Sequence, residues 1–166
     1  MRIYADGDSL QAELRVLLSR RAAAERSRAA ARDEEPRFSL LFVAARKLPT
    51  AGGAELLLVE GGPDAADGKM LELALPGDLA VTRDLPLAER LAEKGVSVLN
   101  DRGEAFTAEN VRERRSLRDR AAELRALGLA PESPRARSWG QKELKAFADA
   151  FDRELTRLLK GGTGPR

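Results

Sequence analysis

Cysteine and histidine are both absent from the 166 residues of this chain. Without cysteine there are no disulfides, thiolate metal sites or cysteine nucleophiles, which fits a reducing compartment. Without histidine the commonest general base, the serine-histidine-aspartate arrangement and imidazole-ligated zinc are excluded. Carboxylates remain as the strong metal ligands, and they favour hard cations. The sequence also lacks a large charge of one sign: 29 basic and 27 acidic side chains nearly cancel, so any basic surface must be local. No run approaches the roughly 18 apolar residues of a membrane span, and the charged start "MRIYADGDSLQ" is unlike a signal peptide. A cytoplasmic protein without membrane attachment is expected.

What is present, 43% hydrophobic residues in a chain of this length, suffices for one domain with a real core. Residues 1–160 are read as that domain and 161–166, "GGTGPR" after Lys160, as a disordered tail. Residues 2–6, "RIYAD", form a short strand, and 9–32 place Leu10, Leu14, Leu17 and Leu18 at helical spacing. That helix is expected to fray over 26–32 before Pro36. The stretches "RFSLLFVAA", "AELLLVE", "PGDLAVT" and "VSVLN" read as further strands. Between them, "GGPDAADGKMLELAL" opens as a turn and closes as a short helix, and Pro86 starts another helix that stops at Gly95. "NDRGEAF" reads as a turn, Thr107 caps a helix over 108–128, and 141–159 forms a last amphipathic helix. This alternation predicts a three-layer α/β fold: a mainly parallel sheet with helices on both faces, plus C-terminal helices.

Four acids follow strands or open helices. Asp6 and Asp8 flank Gly7, and two carboxylates so spaced on extended backbone point the same way and suit a divalent cation. The competing reading is that Asp8 and Gln11 form a capping box that only starts the helix. Asp67, near Asp64, and Asp84, ahead of Pro86, have the same ambiguity, because acids complement the positive end of a helix. Strand ends that lead into helices of a parallel sheet share one edge, where ligands usually bind. Asp6, Asp8, Asp67 and Asp84 are therefore candidates to gather around one or two Mg²⁺ or Mn²⁺ ions and promote attack of water on a phosphodiester. Capping and ligation are compatible at such positions.

Arg112, Arg114, Arg115, Arg118, Arg120 and Arg125 share one helix, with Arg114 and Arg118 four apart on one face that could hold phosphate. Glu109, Glu113, Asp119 and Glu123 are interleaved, so the alternative is a solvated, self-paired surface. Trp139, near Arg135 and Arg137, could stack on a base or cover the core.

The stretch "GDLAVTRDLPLAERLAEKGVSVLNDRGEAFTAENVRERRSLRD" resembles the core of the YaiI/YqxD-type family of uncharacterised bacterial proteins, and the likeness runs from Met1 to about Phe151. It is carried by Asp6-x-Asp8, the loop Asp64-Ala65-Ala66-Asp67, the block from Gly77 to Pro86-Leu87-Ala88 with Thr82-x-Asp84, then Lys94-Gly95, Arg102-Gly103, Asn110 and Arg118-Asp119. That family is similar to PIN-like domains, whose acidic residues bind Mg²⁺ or Mn²⁺ for RNA cleavage. The resemblance implies Asp6, Asp8 and Asp84 as metal ligands, Asp67 as ligand or water orienter, and RNA as substrate. Arg83, Arg114 and Arg118 are candidate phosphate contacts by charge and position. The chain departs from the family pattern at Ser9-Leu10-Gln11, which stands in place of Ala-Cys-Pro, at Ala45 in place of Asn, and at Gly68 in place of a second loop acid. The alternatives to a metal-dependent ribonuclease are a catalytically impaired RNA- or protein-binding module and a small phosphatase or nucleotide-binding protein.

Overall fold

The computed structural model describes residues 1–50, 52–62, 64–128 and 139–161. In chain order the elements are β1 (Arg2–Asp6), α1 (Ala12–Ala30), β2 (Ser39–Ala44), β3 (Ala54–Leu58), α2 (Ala65–Leu73), β4 (Leu79–Val81), α3 (Leu85–Glu93), β5 (Ser97–Leu99), β6 (Ala105–Phe106), α4 (Ala108–Ala126) and α5 (Gln141–Leu159). The strands form one sheet in the order β3-β2-β1-β4-β5-β6. All neighbours pair in parallel except β5 and β6. The expected mainly parallel three-layer architecture is thus the observed one. The short strand β6, in the stretch read as a turn, is an addition: two residues carry no periodicity, and it exists because the turn before it folds back onto β5.

Alternation along the strands divides the core in two. Ile3, Ala5, Leu40, Phe42, Leu79, Val81 and Leu99 face α1 and α5, where they meet Leu14, Leu18, Phe147 and Phe151. Tyr4, Leu41, Val43, Ala80 and Val98 face the other way, against Met70, Leu87, Leu91 and Val111 from α2, α3 and α4. Strands buried on both faces read as continuous apolar runs, which is why "SLLFVA" carries no polar alternation. Phe147 and Phe151, both on α5, stack with centroids 5.8 Å apart and are buried in that layer.

Three expectations about helices change. The first helix does not fray over 26–32 but continues to Ala30. Its last turns are held by Glu25, whose buried carboxylate takes Arg28 at 2.9 Å and Arg37 at 2.8 Å, and by the Arg37 backbone N–H at 2.8 Å. The capping box of Asp8 and Gln11 does not form, because α1 begins one residue after Gln11 and has no side-chain cap. Finally, among the described residues no arginine of α4 pairs with an acid of its own helix. Arg112 reaches Glu89 and Glu93, and Arg115 reaches Glu89 at 3.0 Å, so α4 is pinned to α3. Thr107 caps α4 as expected, in a reciprocal box with Asn110. The tail residues 162–166 and Arg135 and Arg137 lie outside the described residues.

Candidate functional site

The register of the two central strands, Ala5 beside Val81, brings Asp6 next to Thr82 at the edge where both strands give way to loops. The Thr82 hydroxyl, fully buried, donates to Asp6 Oδ2 at 2.9 Å and accepts the backbone N–H of Asp84 at 3.0 Å. One side chain therefore couples the ends of β1 and β4. Asp84 caps α3: its Oδ1 accepts the Leu87 N–H at 2.7 Å, and Pro86 sits in the first turn. Asp6 Oδ1 accepts the Ser9 N–H at 3.2 Å. Each carboxylate retains acceptor capacity after these bonds.

Asp67 enters from the first turn of α2. Its pKa is pushed up to about 6, first by burial and then by the negative charges of Asp6, Asp84 and Asp64. Three of the four acids singled out from the sequence, Asp6, Asp67 and Asp84, thus share one electrostatic neighbourhood. Asp8 is placed differently: its Oδ2 accepts the Ala45 N–H at 2.6 Å and its Oδ1 pairs with Arg46 Nε at 3.2 Å. It ties the chain after β1 to the chain after β2. Gly7 allows this crossing. A Cβ there would lie 2.4 Å from Leu48 Cδ1, 3.1 Å from Ala44 Cβ and 3.3 Å from the Val43 carbonyl oxygen.

The donors at this edge are hard oxygens, the chemistry suited to Mg²⁺ or Mn²⁺, and the repulsion felt by Asp67 is what a cation would relieve. Among the described residues no group of three or more acidic side chains stands in metal-holding geometry. The fit is one of charge and donor type, with Asp6, Asp67 and Asp84 as the residues concerned.

Two residues at this edge escaped the sequence reading. Thr82 stood only as a letter of a motif, since its hydroxyl gains meaning only from the register of β1 against β4. Asp101 follows β5 as Asp84 follows β4, so its position after a strand was a usable signal. Its carboxylate, 9% exposed, takes Gln11 Nε2 at 3.1 Å and Arg83 Nε at 3.3 Å, and its carbonyl accepts the Trp139 indole N–H at 3.2 Å. Trp139 otherwise packs against the core layer of α1 and α5. Of the other predicted phosphate contacts, Arg114 is engaged by Glu104 at 2.7 Å and lies 5.4 Å over the Phe106 ring. Arg118 is exposed, with no partner among the described residues. Gly68 faces open space, so the loop acid that stands there in the family pattern would displace nothing.

Similarity to known proteins agrees with the resemblance read from the residues. The profile of the "Uncharacterized BCR, YaiI/YqxD family" matches residues 13–157. A "UPF0178 protein" of Treponema pallidum is 40% identical over 162 residues, covering 96% of this chain and 84% of that one. Another, of Treponema denticola, is 38% identical over 160 residues, with 96% and 95% covered. A third, of Myxococcus xanthus, is 41% identical over 162 residues, with 96% and 97% covered. No solved structure matches the chain significantly. On the family profile and these full-length relatives, the chain belongs to the YaiI/YqxD family of uncharacterised bacterial proteins.

Proposed function

We propose that this edge is a divalent-cation site and that the protein is a PIN-like, Mg²⁺- or Mn²⁺-dependent hydrolase of RNA phosphodiesters, working in the reducing cytoplasm. The observation that carries the reading is the coupling of Asp6 to Asp84 through the Thr82 hydroxyl, with Asp67 raised to about 6 by burial first and then by the charges of Asp6, Asp84 and Asp64. Asp6, Asp67 and Asp84 would hold the ion. Bound there, the ion supplies charge neutralisation at the phosphate and a more acidic water.

The chain's own residues account for the rest. Thr82 fixes the orientation of Asp6, and the α3 cap fixes Asp84, so neither must be ordered when substrate arrives. Asp67, crowded by Asp6 and Asp84, would be held in its charged form by the ion, as ligand or as orienter of the attacking water. Asp8, held by Ala45 and Arg46, supports the loop geometry behind the site.

The test is cleavage of a labelled single-stranded RNA with Mn²⁺ or Mg²⁺, compared with the same reaction in EDTA. Cleavage is expected only with metal, with losses of about 100-fold or more for Asp6→Asn and Asp84→Asn. Metal binding without cleavage of RNA or DNA would favour the impaired binding module instead. That reading draws on Ser9-Leu10-Gln11 and on the engagement of Asp8 by Arg46.

A further inference from the structure

Arg83 differs from the other arginines near the edge in what holds it. Its guanidinium is half exposed, while the carboxylate it pairs with, Asp101, is buried at 9% side-chain exposure. Asp101 is itself fixed from several sides. Gln11 donates to its carboxylate at 3.1 Å, and Trp139 donates to its carbonyl at 3.2 Å. The turn that follows is closed by Asn100, whose Oδ1 accepts the N–H groups of Arg102 and Glu104, each at 2.9 Å. Gly103 seals that turn against α5: its φ is +79°, and a Cβ there would meet the Ala146 carbonyl oxygen at 2.9 Å.

Arg83 Nη1 also reaches the Ser9 carbonyl at 3.4 Å, and the Ser9 N–H donates to Asp6. Arg83 is therefore linked to a candidate metal carboxylate through a single residue, Ser9, and immediately precedes Asp84 in the chain. Asp101 lies 3.3 Å from Nε and the Ser9 carbonyl 3.4 Å from Nη1, so two contacts hold a guanidinium that has five N–H donors and is half exposed. An arginine held by a buried acid, half exposed and with more donors than contacts, is pre-organised for a phosphate oxygen, losing little side-chain freedom on binding. Arg114 cannot serve in this way, because Glu104 and the Phe106 ring occupy it.

Resting on the nucleic-acid reading of the edge, we infer that Arg83 is the phosphate clamp of the site and that Asp101 is its positioning residue, acting on RNA only through Arg83. Gln11, which stands where the family pattern has proline, completes the support by orienting Asp101. Charge alone would let any exposed arginine do this; the buried anchor is what sets Arg83 apart.

The experiment is fluorescence anisotropy of a labelled single-stranded oligoribonucleotide of about ten residues, titrated in EDTA at several salt concentrations. Wild type is compared with Arg83→Ala, Arg83→Lys, Asp101→Asn and the double variant Arg83→Ala/Asp101→Asn. Arg83→Ala should weaken binding by about five- to tenfold and lower the salt slope by about one. Arg83→Lys should restore the slope but not the affinity, since it keeps the charge and loses the fork. Asp101→Asn should weaken binding by about threefold and cost nothing further in the double variant, the signature of residues acting as a unit. Should Asp101→Asn fail to fold, Gln11→Ala, which loosens the same carboxylate, carries the same non-additive expectation. An unchanged slope in Arg83→Ala, losses that multiply in the double variant, or no RNA binding by wild type would each overturn the inference. Because no metal is present, the result is independent of the hydrolase reading. A metal response without this cycle leaves the cation site standing, and this cycle without a metal response leaves the clamp standing.

Discussion

Asp67 shows most directly what the crowding of acids costs. Its pKa of about 6 lies above the ordinary aspartate value of 3.8, so the native protein holds a proton that the unfolded chain has released between those values. Stability from this group is therefore greatest below the lower value and falls as pH rises through the upper one. Asp67→Asn should flatten that slope and raise stability near pH 7.5 by about 1 kcal/mol, a figure reduced for the group's partial exposure. Denaturant melts between pH 4 and 8 would check it, with equal slopes in both proteins the contrary result. On the cation-site proposal, a bound ion would offset this cost. At this scale the sequence revealed the residue types and their places after strands, since Asp6, Asp67 and Asp84 could all be named from spacing. It could not reveal that Asp8 turns toward Ala45 and Arg46, because that depends on where the chain after β2 passes.

Among the elements, α1 is the one that departed furthest from the expectation drawn from its apolar pattern. Alanine and arginine over 26–32 form helix readily but carry no apolar stripe to pack, which is why fraying was expected. The helix persists because Glu25 gathers Arg28 and Arg37, which hold its carboxyl well below the usual range, hydrogen bonds from Arg37 first and Arg28 second. A carboxyl so depressed contributes stability above the unfolded glutamate value and loses it as pH falls below that value. Glu25→Gln should destabilise the protein by about 2–3 kcal/mol at pH 7, by leaving two guanidinium groups without their shared acid. The effect should fade toward pH 3, and hydrogen exchange should show the last turns of α1 opening first. Persistence of those turns would contradict this account. The other helices were more legible: Thr107 and Pro86 announced α4 and α3, and both lie where the sequence put them. The pairing of Arg112 and Arg115 with α3 was not legible, because charge pairs between helices depend on how the helices cross.

For the molecule as a whole, alternation of strand and helix was enough to foresee a parallel sheet covered on both faces. The order β3-β2-β1-β4-β5-β6 then places β1 and β4 side by side in the middle, so Asp6 at the end of β1 meets Thr82 just after β4. No described helix is long and apolar enough to cross a membrane. What the periodicity could not contain was the contact that organises the edge, a buried threonine hydroxyl shared between two strands 76 residues apart in sequence. The claim that this edge is a divalent-cation site is tested most directly by thermal melting of the wild type and of Asp84→Asn in rising Mn²⁺. Wild type should gain several degrees once Mn²⁺ exceeds its dissociation constant about 100-fold, and Asp84→Asn should lose most of that gain. A wild-type melting temperature unchanged at millimolar Mn²⁺ would contradict the account.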